Sequence, residues 1–207
     1  MAAAALVLRY RSHAASTRLR YWKPIQTGIE ADDDTASVRA LAQCAPEELL
    51  DEGVRLKRPL SPHLAARLSG TYVDLSDLLR IAASQRESDR WVVEGAGGVL
   101  VPLDDLRLMI DLIARLALPV VVVARSSLGT INHTLLTLEA LRSRSIRPAG
   151  VIMVGAANPD NREAIESYGK VPVIGQLPVI EPLTSAGLAQ WATTELDREG
   201  RLAGSFE

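Results

Sequence analysis

Short apolar runs rich in β-branched residues alternate with amphipathic segments along most of the 207-residue chain. The runs predict strands, and apolar residues spaced three and four apart predict helices. Each predicted strand leads through a loop into a helix, which is typical of a doubly wound, mostly parallel sheet flanked by helices. We therefore expect one α/β domain over residues 1–207. The predicted strands are 19–23, 91–94, 119–124, 150–154 and 171–175; the predicted helices are 1–10, 35–43, 74–84, 109–118 and 188–196, with others beginning at 61, after 128 and after a turn at 158–161.

Composition and charge narrow the classes of function. The formal net charge of −2 and the pI near 6.0 argue against a nucleic-acid partner. The single cysteine, Cys44, excludes an internal disulfide and a cysteine-cluster metal site, which fits the cytoplasm. No apolar run approaches the roughly 20 residues that span a bilayer, so we expect no membrane insertion. The basic, acid-poor stretch before Glu30 is also typical of a transit peptide, which leaves an organellar address open.

Glu94 ends the apolar run 91–93 and is followed at once by four small residues, 95–98. In parallel sheets ligands bind beyond the carboxyl ends of the strands, where glycines let the backbone approach an anion closely. A lone acid in that position holds a metal ion or accepts a proton. The alternative is a tight turn that carries an acid by chance.

Three further segments place polar groups at predicted loops or helix starts. The loop 24–28 presents a lysine and a hydroxyl on the same side of a sheet edge. The aspartates 32–34 open a helix, where acids cap the N-terminus; alternatively, one of them faces a metal ion. Residues 128–132 lie at another helix N-terminus, which can bind a carboxylate or a phosphate, with helix capping by Thr130 as the alternative.

Four segments, in this order, resemble the dethiobiotin synthetase family: YWKPIQTG at 21–28, SPH at 61–63, VEGAGG at 93–98 and LGTINH at 128–133. The resemblance implies an ATP-dependent ring closure in biotin synthesis. CO2 adds to one amine of 7,8-diaminononanoate to give a carbamate, which ATP then phosphorylates. The second amine attacks the mixed anhydride and closes a cyclic urea. The resemblance further implies Mg²⁺, ATP as co-substrate, and a homodimer with the substrate site shared across the interface.

The same resemblance implies roles for individual residues. Lys23 is the catalytic lysine beside the phosphates and the carbamate, and Thr27 contacts substrate. Asp34 and Glu94 are the acids that serve magnesium and nucleotide. The loop that crosses the dimer to the substrate carboxylate consists of Leu128, Gly129, Thr130 and Asn132. The other ATP contacts are Gly95, Ala96 and Gly97 along the phosphates, and Val154, Gly155, Pro178, Val179, Ile180 and Glu181 around adenine and ribose.

Two features depart from the family pattern. The family begins with a strand and a glycine-rich loop ending in Gly-Lys-Thr, whereas no G-x-x-x-x-G-K-[ST] occurs in these 207 residues. Residues 1–10 match the helix after that loop, so we expect the sequence to begin roughly 15 residues late. We then expect open strand edges inside the sheet and impaired activity. Val154 and Gly155 also replace an Asn–acid pair that contacts adenine, and a backbone contact can take over that role.

Two other interpretations remain open. A catalytically inactive homologue, kept as a dimerisation or binding partner, is favoured by the missing phosphate loop and opposed by the retained lysine and acids. A related P-loop amidotransferase-type or regulatory domain of cobalamin or acetyl-phosphate metabolism shares the sheet. Such a domain is not expected to combine the segments 23–28 and 128–133.

Overall fold

The computed structural model describes residues 1–11, 18–85 and 88–205. Within those ranges eight α-helices flank three parallel sheets, so the predicted α/β class is confirmed. The helices are α1 Ala2–Tyr10, α2 Asp34–Ala42, α3 Pro62–Leu68, α4 Leu75–Ala83, α5 Met109–Leu116, α6 Thr130–Ser143, α7 Pro159–Gly169 and α8 Ser185–Thr194. The strands are β1 Leu19–Trp22, β2 Ile25–Thr27, β3 Leu49–Leu50, β4 Val54–Leu56, β5 Arg90–Val93, β6 Val120–Arg125, β7 Pro148–Val154 and β8 Val173–Leu177.

All of these strands pair in parallel, in the orders β3–β1–β5, β2–β4 and β6–β7–β8. Helices cover both faces, with α1, α2 and α8 on one side and α3 to α7 on the other. Because side chains alternate along a strand, Tyr21 joins the core under α1 while its neighbour Trp22 joins the core under α3 and α4. The two helical layers make the fold doubly wound, as expected.

A long cavity lies between the two three-stranded sheets. In the described part of the chain β5 pairs only with β1 and β6 only with β7, and both strands line a cavity of about 1120 Å³. Val123, inside β6, is 53% exposed, although apolar residues of parallel strands are normally covered on both faces. The open strand edges expected from the sequence are therefore present.

The segment 24–28 is not the loop that we expected, because it contains strand β2. This strand pairs with β4 in the register Ile25 with Val54 and Thr27 with Leu56. Each strand has only three residues, too few for a local apolar pattern, and their pairing joins segments that are distant in sequence. The short strand β3 was missed for the same reason.

Helix and strand ends also differ from expectation at several places, and three of these differences have a clear cause. The segment 158–161 is a helix start rather than a turn before one, because the Asn158 side chain accepts from the N–H of Asn161 and caps α7. Helix α8 begins before residue 188, since the Thr184 hydroxyl accepts a hydrogen bond within the first turn. Strand β8 lies at 173–177 rather than 171–175, because its pairing with β7 continues to the end of both strands.

The remaining expectations concern the N-terminal stretch, the membrane and the cysteine. Part of the basic stretch, residues 12–17, lies outside the described residues. None of the described helices is both long and apolar enough to cross a membrane. Cys44 is half-buried, and burial raises the pKa of its thiol above the ordinary value, as expected of a structural side chain.

Candidate active site

The register of β1 and β5 places Lys23 beside Glu94. Trp22 is paired with Val93, and the N–H of Glu94 donates to the carbonyl of Trp22 at 2.9 Å. The next residue along each strand is therefore delivered to the same end of the sheet, with its side chain on the same face. There, Lys23 Nζ lies 3.0 Å from Glu94 Oε1.

The third charged group comes from the start of α2. Asp33 caps this helix, because its carboxylate accepts from the N–H of Ala36 at 2.9 Å, and that contact holds the pKa of Asp33 below its ordinary value. Asp34, the first helical residue, directs its side chain to Lys23 instead, with Oδ2 2.7 Å from Nζ. The aspartate run therefore supplies both the cap and a residue of the site.

Lys23 is 5% exposed, and its ammonium is fully paired. Its Nζ donates hydrogen bonds to Glu94 and, at 3.1 Å, to the carbonyl of Gly95, and it forms an ion pair with Asp34. A nearly buried ammonium needs such partners, since leaving it unpaired is costly. The Asp34 and Glu94 side chains are 38% and 31% exposed and so remain accessible to a ligand. We call Lys23, Asp34 and Glu94 the charge triad.

The glycine loop 95–98 adjoins the triad. Gly97 has a φ of +75°, and a Cβ at this position would lie 3.0 Å from Val101 Cγ2. Any residue with a side chain would therefore be strained at position 97. The loop keeps its backbone next to the triad without side chains in the way, which suits contact with an anion.

Two cavities open at this end of the sheet, and the charge triad lies where they meet. The long cavity between β5 and β6 reaches all three triad residues together with Gly95 and Gly97. A second cavity of about 350 Å³ is lined by Lys23 and Asp34 and brings in Thr27. Its other walls are Leu60, Ser61, Pro62, Ala96, Gly97 and Val101. The structure therefore brings Lys23, Thr27, Asp34, Glu94 and the glycine loop together.

The loop at residues 128–132 lines neither cavity among the described residues. Leu128 is 97% exposed, and Gly129, not Thr130, is the N-cap of α6. Thr130 is buried with its hydroxyl toward Thr134, so capping by Thr130 is wrong. Asn132 is exposed in the first helical turn.

The residues expected around adenine lie at the carboxyl ends of β7 and β8, in the other three-stranded sheet. Val154 lines the long cavity, and the N–H of Gly155 donates to Leu177 at 2.9 Å. The strip at residues 178–181 comes next after β8 and is largely exposed. It does not line either cavity in the part of the chain that the structure describes. These positions stay predictions.

Two residues that hold the triad in place were not found from the sequence. The Tyr21 hydroxyl donates to Glu94 Oε2 at 3.0 Å. The Arg55 guanidinium donates to the carbonyl of Lys23 at 2.9 Å and to that of Asp51 at 3.0 Å, which braces the turn after β1. A signal for Tyr21 was present, because it lies two residues before Lys23 on the same strand face. Arg55 lies on β4, and no local signal connects it to the site.

The donor set of the triad fits magnesium better than a metal held by protein alone. No group of three or more histidine, cysteine, aspartate or glutamate side chains that could hold a metal occurs among the described residues. Mg²⁺ is normally bound by one or two carboxylates completed by water and substrate phosphates. Asp34 and Glu94 supply that number of carboxylates next to an anion-accepting loop.

Comparison with known proteins finds relatives that match most of the chain. A family model described as an AAA domain matches residues 2–186. The ATP-dependent dethiobiotin synthetase BioD of Paramagnetospirillum magneticum is 49% identical over 172 residues, which cover 83% of this chain and 81% of that protein. The Brucella ovis protein of the same name is 46% identical over 164 residues, or 79% and 76% of the two chains.

A longer relative shares the same region. The biotin biosynthesis bifunctional protein BioCD of Bordetella avium is 47% identical over 173 residues, so the match covers 83% of this chain but only 36% of that protein. The identities lie well above what fold alone requires, and the matches extend over most of the present chain. The chain belongs to the dethiobiotin synthetase family of AAA-domain proteins.

Proposed function

We propose that this chain, folded as one α/β domain, closes the ureido ring of dethiobiotin from 7,8-diaminononanoate, CO2 and ATP. The observation that carries the proposal is the charge triad, with one nearly buried ammonium between two accessible carboxylates beside a glycine loop. Phosphoryl transfer needs positioning and charge neutralisation more than covalent chemistry, and this arrangement offers both.

The role proposed for Lys23 is to hold the oxygen that is shared between carbamate and γ-phosphate. As the carbamate oxygen bonds to phosphorus and ADP leaves, negative charge shifts among oxygens that one ammonium can contact throughout. A ligand oxygen replaces one of the three present acceptors of Lys23. Asp34 and Glu94 would hold Mg²⁺, and the ion would supply the remaining charge neutralisation at the phosphates.

The 350 Å³ cavity is the proposed site for the diamine. Its apolar walls suit an aliphatic chain, and Thr27 offers a hydroxyl to an amine or a carbamate at the end that meets Lys23. When the second amine attacks the mixed anhydride, the C–N bond forms and inorganic phosphate leaves. The closed ring then remains beside Thr27.

We propose a homodimer in which the loop 128–132 of a second copy binds the substrate carboxylate. Two observations support this: the loop lines neither cavity of its own chain, and Leu128 is almost fully exposed. The first turn of α6 offers free backbone N–H groups to an anion. Sedimentation at assay concentration should show a dimer, and an active monomer would exclude a shared site.

The direct test is product formation from the diamine, bicarbonate and MgATP, followed by mass spectrometry, with ATP binding measured beside it. The 207-residue chain is compared with a version extended at its N-terminus by a strand and a glycine-rich Lys-Thr loop. We expect the extended version to turn over and the 207-residue chain to be slower and to bind ATP more weakly. Lack of product in both forms, with dimerisation retained, would instead favour the inactive homologue.

A further inference from the structure

Tyr21 combines a fully buried ring with a hydroxyl that reaches the active site. The ring lies in the core under α1, and the register pairs Tyr21 with Val92. Glu94 is therefore two residues further along the neighbouring strand on the same face, within reach of a long side chain. The tyrosine oxygen lies 3.0 Å from Glu94 Oε2.

Glu94 is thereby held at both carboxylate oxygens. Tyr21 donates to Oε2, while Lys23 donates to Oε1. A glutamate has three rotatable side-chain bonds, and this one is partly exposed, so a single contact would leave it free to swing toward solvent. Two contacts from neighbouring positions of one strand fix both its direction and its rotation.

We propose that Tyr21 is a positioning residue that keeps the Glu94 carboxylate on Lys23 and beside the glycine loop. The proposal rests on the ring-closing function proposed above, and Tyr21 acts in that reaction only through Glu94. Burial, and then the negative charge of Glu94, raise the pKa of Tyr21 far above its ordinary value.

The chain offers a matched control. Tyr10, the last residue of α1, is also fully buried in the same core, and its hydroxyl also donates to a carboxylate, that of Asp197. Asp197 lies after α8 and lines neither cavity at the triad. Tyr10→Phe and Tyr21→Phe therefore remove the same chemical group from the same core, one away from the site and one at it.

The experiment measures the reactivity of Lys23 and turnover in the same set of variants. Lys23 is labelled with an amine-acylating reagent in the ligand-free protein and quantified by peptide mass spectrometry, while kcat and KM are measured in the N-terminally extended version. We expect Tyr21→Phe to raise the labelling rate about tenfold and to lower kcat about tenfold, the scale of one lost hydrogen bond to a charged group. KM for the diamine should change less than threefold, and Tyr10→Phe should change none of these quantities.

A double-mutant cycle with Glu94→Gln separates positioning from core packing. If Tyr21 acts through Glu94, then Tyr21→Phe adds nothing further to labelling or kcat in the Glu94→Gln background. An equal effect in both backgrounds, or an equal effect of Tyr10→Phe, overturns the proposal. If no variant makes product, the proposed function fails, and the labelling of Lys23 alone still decides whether Tyr21 positions Glu94.

Discussion

Replacing Lys23 by methionine should abolish most turnover while the fold survives. Methionine is the informative choice because the methylene stem of Lys23 is nearly buried. Truncation to alanine would remove that stem and add the cost of a cavity, about 2–5 kcal/mol. Methionine keeps a similar volume and removes only the ammonium, so stability and catalysis can be read separately.

The loss of stability should be smaller than the loss of catalysis, because the ammonium has opposing effects on folding. Each of its three contacts contributes about 1.5 kcal/mol to stability, the lower end of the range for contacts with charged groups. Holding the charge away from water offsets several kcal/mol of this. In Lys23→Met the two carboxylates, each about a third exposed, regain water. The free energy of unfolding should therefore fall by only about 1–2 kcal/mol.

On the proposed function catalysis loses more, since no other group would replace the ammonium between carbamate and phosphate. Removing one preorganised donor of developing charge typically lowers kcat by about 10²–10³. Urea unfolding of the 207-residue chain gives the stability change, and turnover of the extended version gives kcat. A kcat within threefold of the unsubstituted enzyme removes Lys23 from the mechanism. A stability loss above about 4 kcal/mol would show that the lysine is mainly structural.

Three further predictions separate neighbouring residues. Asp33→Ala should lower the free energy of unfolding by about 1 kcal/mol, because the α2 cap is lost, and should leave the Mg²⁺ concentration needed for activity unchanged. Asp34→Asn should raise the Mg²⁺ concentration needed for activity and change the free energy of unfolding in urea only slightly. Gly97→Ala should weaken ATP binding and Gly98→Ala should not, by calorimetry, since only position 97 has positive φ and a close neighbour. The pKa of Asp111 is lowered from 3.8, chiefly by a hydrogen bond from a backbone N–H. The ionised carboxylate therefore stabilises the folded state fully above pH 3.8, and this stabilisation is lost as the pH falls further. In Asp111→Asn the midpoint of urea unfolding should depend less on pH below about pH 4.

The elements that position the site were predictable where the sequence pattern is local. The apolar runs that end at Lys23 and Glu94 identified β1 and β5, and the parallel arrangement placed both strand ends at one edge. For the aspartates 32–34 two interpretations stayed open, helix capping and facing a metal ion, because both use the same residue type; the ion pair between Asp34 and Lys23 was not foreseen. The structure resolves that ambiguity by giving the cap to Asp33.

Contacts between distant segments could not be predicted in the same way. The pairing of β2 with β4 joins three-residue strands, and the hydrogen bond from Arg55 to the carbonyl of Lys23 depends on that pairing. The position of Tyr21 two residues before Lys23 was a signal, but its hydrogen bond to Glu94 depends on the pairing of two strands that are distant in sequence. Side-chain hydrogen bonds of this kind follow from register, and register is fixed by the assembled sheet rather than by local sequence.

The position of the long cavity connects the fold to the proposed chemistry. The charge triad belongs to the sheet β3–β1–β5 and its flanking helix, whereas the residues expected around adenine follow β7 and β8. The cavity between β5 and β6 separates these two groups. If ATP binds as proposed, with its phosphates at the triad and its base beyond β8, it must span both sheets. Nucleotide affinity should then depend on how firmly the two sheets are held together as well as on the charges at one end.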